Sequence, residues 1–190
     1  IAETSIENKI QEIKNIENYT KYEELPQDYI DAVVAVEDKR FFSHPGVDII
    51  SIARAVAIDI KEMSFEEGGS TITQQLAKNV YFTQEKKMTR KVAEVFMALE
   101  IEKNYDKEEI LELYLNTSYF GDGYYTIKDA CKGYFDKEPM QMTDYEAILL
   151  AGIPNAPSVY APTKNPGWAK QRQRQVMEKM IKDGYLTEKE

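Results

Sequence analysis

Thr89-Arg90-Lys91-Val92-Ala93-Glu94-Val95-Phe96-Met97-Ala98-Leu99-Glu100-Ile101-Glu102-Lys103 carries apolar side chains at Val92, Val95, Phe96 and Leu99. Intervals of three and four residues trace one face of an α-helix, whereas one face of a strand needs every second residue. The same spacing recurs outward in both directions. Ile6, Ile10, Ile13 and Ile16 make a thin stripe in a polar segment over 1–20. Pro26 to Glu37 sets Ile30, Val33 and Val34 on one face behind a first-turn proline, and Ile49 to Ile60 repeats the pattern after Pro45-Gly46; both read as core helices. Thr71-x-x-Gln74, Asp106-x-x-Glu109 and Thr143-x-x-Glu146 are capping-box openings for helices to about Asn79, Leu115 and Ala151. Ile127 to Phe135 reads as helix, Tyr119 to Tyr125 as an irregular turn, and Pro154 to Pro166 as extended loop. Trp168 to Lys182 is a final helix stopped at Gly184. The fold class expected is all-α, with a lead-in helix over 1–24 and one domain over 25–190.

The chain has 190 residues, 24 Lys and Arg against 33 Asp and Glu, and a formal charge of −9. That balance argues against a general nucleic-acid binder, so an anionic ligand must find a local basic patch. Cys131 is the sole cysteine and His44 the sole histidine, which excludes an internal disulfide and argues against a Cys/His zinc site. Cys131 reads as a small buried apolar residue. The longest uncharged run, 147–163, is broken by Pro154, Pro157 and Pro162 and does not read as a membrane span.

Three stretches carry chemistry. Glu37-Asp38 ends an apolar helix beside Phe41 and Phe42, a place for a partly buried acid/base carboxylate; the plainer reading is a helix end paired with Lys39 or Arg40. Gly68-Gly69-Ser70-Thr71 precedes a helix N-terminus, where hydroxyls and free N–H groups can hold phosphate, with Lys78 two turns on. Lys78, Lys86, Lys87, Arg90 and Lys91 form a basic island around Glu94, either a diphosphate cleft with a carboxylate inside it or an ordinary Arg90–Glu94 pair on a solvated face. His44, beside Pro45-Gly46, reads as a structural hydrogen-bonder.

Glu37-Asp38-Lys39-Arg40-Phe41-Phe42-Ser43-His44-Pro45-Gly46, then Gly68-Gly69-Ser70-Thr71-Ile72-Thr73-Gln74-Gln75, then Arg90-Lys91-Val92-Ala93-Glu94 resemble, in order, the signature motifs of glycosyltransferase family 51. These are the peptidoglycan glycosyltransferases, or transglycosylases, found as monofunctional enzymes and as the catalytic domain of class A penicillin-binding proteins. Ile110-Leu111-Glu112-Leu113-Tyr114-Leu115-Asn116 with Tyr119-Phe120-Gly121, and Glu146 to Ser158, continue the match over roughly residues 25 to 165. One region departs: the family usually reads Tyr-Gly and then a pair of alanines, where this chain has Tyr125-Thr126 and Ala130-Cys131.

The resemblance implies a lysozyme-like, bilobal, all-α fold that polymerises lipid II. It makes Glu37 the general base and Glu94 the second essential carboxylate. Ser70, Thr71, Gln75, Lys78, Asn79, Lys86, Arg90 and Lys91 would bind the donor and its diphosphate, with Asp38, Phe41, His44, Gly46, Gly68 and Gly69 supporting the motifs. A divalent cation such as Mg2+ is compatible with this chemistry; no organic cofactor is called for. The implied partners are lipid II, the lipid-linked glycan, the outer leaflet of the cytoplasmic membrane, a C-terminal transpeptidase domain and phosphoglycolipid inhibitors of the moenomycin type, with no nucleic acid. The implied location is the outer face of the bacterial cytoplasmic membrane, through an N-terminal anchor, with Ile49 to Phe65, including Ile58, Ile60 and Met63, facing the lipid. The competing readings are a lysozyme-like glycan hydrolase and a non-catalytic lipid II-binding module.

Overall fold

A computed structural model describes residues 5–53, 69–81 and 88–187, and among these every regular element is helical. Helix α1 (Ile6–Lys14) is shorter than the stripe over 1–20, because Ser5 caps it, accepting from Asn8 N at 3.3 Å, and the chain turns after Asn15. Helix α2 (Gln27–Glu37) buries Tyr29, Ile30, Ala32, Val33, Val34, Ala35 and Val36, so it is enclosed almost all round, as an apolar helix must be. It packs against α7 (Asp144–Gly152) and α9 (Pro166–Asp183). A Cβ on Gly152 would stand 2.8 Å from Arg172 Cγ, so the small residue permits the close approach of α7 and α9.

A second layer is formed by α3 (Ile72–Tyr81), α4 (Met88–Asn104) and α5 (Lys107–Leu115). The stripe that marks α4 as a helix is not the face it buries. Ala98 and Ile101 are buried together with Glu94, whereas Val92, Phe96 and Leu99 point outward, Phe96 at 68 % exposure. The expectation of a core helix from Ile49 also fails where it can be followed. Asp48 opens that helix, with its carbonyl accepting from Ile52 N at 3.0 Å, but Ile49 is 75 % exposed and Ile50 and Ile52 are exposed too; residues 54–60 lie outside those described.

The expected helix from Ile127, the buried Cys131 and the stop at Gly184 are all present, and one local difference follows Pro154. Helix α6 (Ile127–Phe135) starts at Thr126, whose hydroxyl accepts from Asp129 N at 3.0 Å. Its φ of −134° is ordinary extended backbone, so the loop holds without the family's glycine and uses threonine as a cap. Cys131 is fully buried with Sγ 3.5 Å from Met142 Sδ, and burial pushes its thiol up to about 12, as suits an inert apolar residue. The stretch read as extended from Pro154 contains a one-turn helix, α8 (Pro157–Tyr160), opened by a proline at its first position. Helix α9 ends at Gly184 in the left-handed region, φ 83°. Among the described residues no helix is long and apolar enough to cross a membrane.

Candidate active site

Glu37 is the last residue of α2, and Asp38 leaves the helix at φ −160°, so two adjacent carboxylates point to different surroundings. Glu37 Oε2 accepts from Gln75 Nε2 at 2.9 Å, while its Oε1 is shielded from solvent with no hydrogen-bond partner. Asp38 turns inward. Both its oxygens lie 2.9 Å from His44 Nε2, and Oδ2 also accepts from Ile72 N, at 3.0 Å. Gly46 N donates to His44 Nδ1 at 3.1 Å, which assigns the ring proton to Nε2 and makes His44 the donor to Asp38. Gly46 is required here: its φ is +90°, and a Cβ would meet Glu102 Cγ at 2.8 Å and Ala98 O at 3.0 Å. Phe41, fully buried, takes Lys107 Nζ over its ring at 4.5 Å.

This wiring corrects one expectation and bears on a second. Neither acid is paired with Lys39 or Arg40: Lys39 bonds Asp183, and Arg40 bonds Asp48, with its Nε 2.9 Å from Oδ2. The Arg40 hydrogen bond, against the opposing effect of burial and helped by Ser51, holds the Asp48 carboxyl well below the usual carboxylate range. At the helix N-terminus read as a phosphate cradle, three N–H groups already have partners within the protein, while Gly69 and Ser70 line the cleft. Ile72 N is used by Asp38, and Thr71 and Gln74 exchange reciprocal capping bonds at 2.9 and 3.1 Å. The Thr71 hydroxyl donates to Gly46 O at 2.6 Å, which takes it away from a ligand. A carboxylate at a helix N-terminus is favoured by the same dipole that would attract phosphate, and here the protein supplies it.

Two residues of the basic island, Lys78 and Lys91, line the cleft, and Lys86 and Lys87 lie outside the described residues. Glu94 is 2 % exposed, with Arg90 Nε 2.9 Å from Oε1 and Lys91 Nζ 3.0 Å from Oε2; Lys91 also donates to Ser70 Oγ at 2.6 Å. The Arg90–Glu94 pair is thus real, but its acid is buried instead of lying on a solvated face. Lys78 stands exposed at the rim. A cleft of about 430 Å³ brings together Glu37, Asp38, Gly69, Ser70, Thr71, Gln75, Lys78, Lys91 and Glu94.

A family model described as Transglycosylase matches residues 5–181. The chain belongs to the transglycosylase family. It is 46% identical over 167 residues to penicillin-binding protein 1F of Bacillus subtilis (strain 168), covering 88% of this chain and 23% of that protein. It is 41% identical over 169 residues to penicillin-binding protein 1A of Aquifex aeolicus (strain VF5), covering 89% and 23%. The chain therefore spans less than a quarter of these relatives. The crystal structure of penicillin-binding protein 1A from Haemophilus influenzae superposes with a TM-score of 0.53 at 22% identity, over 90% of this chain and 16% of that one, a likeness of fold.

In this transglycosylase domain the cleft has residues that sequence reading did not single out. Arg172 and Lys179 reach it from α9, together with Asn155 and Asp48. Arg172 Nε and Lys179 Nζ donate to Gly152 O and Val36 O, both at 3.3 Å, so cations sit on the last carbonyls of α7 and α2, where the helix dipole favours them. Their spacing of seven, one helical face, was the available signal. With Lys39, Lys78 and Lys91 they make five cations against four acids on the lining of a chain whose net charge is −9. Asn79 is exposed on α3 and not part of the lining, Arg90 reaches the cleft through Glu94, and Gly68 and Lys86 lie outside the described residues.

Proposed function

We propose that the chain is a peptidoglycan glycosyltransferase that joins the sugars of lipid II in β-1,4 linkage. The observation that carries this reading is a cation-lined cleft in which Glu37 keeps one sheltered oxygen without a hydrogen-bond partner. In the proposed step the acceptor 4-hydroxyl gives its proton to Glu37 Oε1 as its oxygen attacks the donor anomeric carbon. The bond from that carbon to the polyprenyl diphosphate breaks with inversion, and the leaving diphosphate takes the electron pair. Lys78 and Lys91, with Arg90 behind Glu94, neutralise the charge that develops there, which a good leaving group needs more than a proton donor. Glu94 holds Arg90 and Lys91 in register.

Among the described residues no cluster of three or more metal-ligating side chains occurs. Asp38, Asp48 and Glu94 have both oxygens engaged by His44, Arg40, and the pair Arg90 and Lys91. Among the described residues these three acids therefore do not build a site for Mg2+.

Work at the outer membrane face fits the outward apolar side chains of Ile49, Ile50, Ile52, Val92, Phe96 and Leu99. An accompanying transpeptidase domain fits the greater length of the relatives named penicillin-binding proteins. A phosphoglycolipid of the moenomycin type would compete for the same cations. The test is incubation with labelled lipid II in detergent, with and without chelator, and separation of the products. A ladder of lipid-linked glycan is expected. Soluble reducing-end products from lipid-free glycan would replace this reading with a hydrolase, and lipid II binding without products would replace it with a binding module.

A further inference from the structure

Tyr114 lies on α5 within the motif Leu113-Tyr114-Leu115-Asn116, is 1 % exposed, and stands behind the cleft, outside its lining. Its hydroxyl is 3.3 Å from Gln75 Oε1, and the other end of the same amide, Nε2, is 2.9 Å from Glu37 Oε2. We infer that Tyr114 is a positioning residue for the general base: by donating to Gln75 Oε1 it pins the amide so that Nε2 binds Glu37 Oε2 and Oε1 of Glu37 is left for the acceptor proton.

The two contacts fix one orientation of the amide. Turned the other way, Gln75 Oε1 would face the Glu37 carboxylate, acceptor against acceptor, and Nε2 would face the phenol. A glutamine held only at the Glu37 end could leave by rotamer change, since its side chain is long and part of the lining. The second bond, made to a buried group that has no freedom of its own, removes that escape. Burial first, and the charge of Glu37 second, push the Tyr114 phenol well above its ordinary range, so the hydroxyl remains a donor. The Ser118 hydroxyl, 2.7 Å from the Tyr114 carbonyl, braces the turn that follows.

This inference rests on the transferase reading, and two measurements separate their fates. The first is a mutant cycle in the complete chain, using Tyr114→Phe, which keeps the ring, and Gln75→Met, which keeps the length. Tyr114→Phe should lower kcat for lipid II polymerisation about tenfold, with KM and melting temperature near those of the parent. In the Gln75→Met background the same change should alter kcat less than about twofold, because the group it acts through is gone. An equal loss in both backgrounds, a loss confined to KM, or no loss of kcat would overturn the inference. The second follows the Gln75 side-chain amide by NMR. Its Nε2 protons should exchange about tenfold faster in Tyr114→Phe. Unchanged exchange overturns the inference, including in a protein that forms no glycan; a parent chain that forms none overturns the transferase reading alone.

Discussion

Glu37 and Glu94 line one cleft and are held in opposite ways. Glu37 terminates a helix, receives one bond from a neutral amide and keeps an oxygen unspent. Glu94 lies in the middle of α4, is nearly inaccessible, and has a cation on each oxygen. A carboxylate oxygen with no cation beside it can receive a proton from a substrate; a carboxylate with a cation within 3.0 Å of each oxygen keeps those cations in place. Type and location alone do not distinguish the two acids, and the bonding around each of them does.

Replacing each acid by its amide tests the contrast most directly. Glu37→Gln should lower the polymerisation rate about 10⁴-fold, the upper range for a general base, with a melting temperature equal to or above that of the parent, because a sheltered unpaired charge is removed. A residual rate within tenfold of the parent would remove Glu37 from the role of base. Glu94→Gln should lose about 10³-fold in rate and, unlike Glu37→Gln, about 3 kcal/mol of stability by denaturant melt, since two cations lose their counter-charge. If the two variants proved equally stable, the contrast drawn from their partners would be wrong.

Lys78 sharpens the comparison from the ligand side. It has no partner among the described residues, so Lys78→Ala should leave stability unchanged within about 0.5 kcal/mol. The same substitution should cost about 10²-fold in kcat/KM. Equal activity would move the diphosphate away from this end of α3. The smallest effect is expected at Asp48, whose carboxyl is held below its ordinary range by Arg40. A group with a depressed folded-state pKa contributes stability above its unfolded value, about 3.9, and loses that contribution as pH falls. Thermal melts should therefore decline more steeply below about pH 4 in the parent than in Asp48→Asn. Parallel curves would show that the Arg40 pair does not matter to folding.

What could be read in the chain beforehand divides by distance. The capping pairs Thr71 with Gln74 and Thr143 with Glu146 span three residues and close in both directions, while Asp106 caps Glu109 N in one direction and the Glu109 carboxylate turns to Lys14. The direction in which a helix turns its stripe is not a local property. Val92, Phe96 and Leu99 mark α4 as helical, yet Glu94, Ala98 and Ile101 are the residues it buries, because the partners across the layer interface decide. The same reason hid the fate of the α3 N-terminus, which is capped by an aspartate 34 residues upstream, and hid the arrival of Arg172 and Lys179 from the far end of the chain. Glu37 and Glu94 were legible as site residues; that Gln75 holds one and Lys91 the other was not.

The segment before α2 is lashed to α5 along one face. Glu109 takes Lys14, Glu112 takes Tyr19 and Tyr22 N, and the Asn116 side chain bonds Thr20 N at 2.9 Å and Thr20 O at 2.7 Å, like a rung of a ladder. These rungs lie side by side along the helix, so tension on the incoming chain would load them together in shear and not peel them one after another. The load would pass into α5, the helix whose Tyr114 reaches toward Gln75. The lead-in is in this sense a mooring line, made fast to the helix that carries Tyr114.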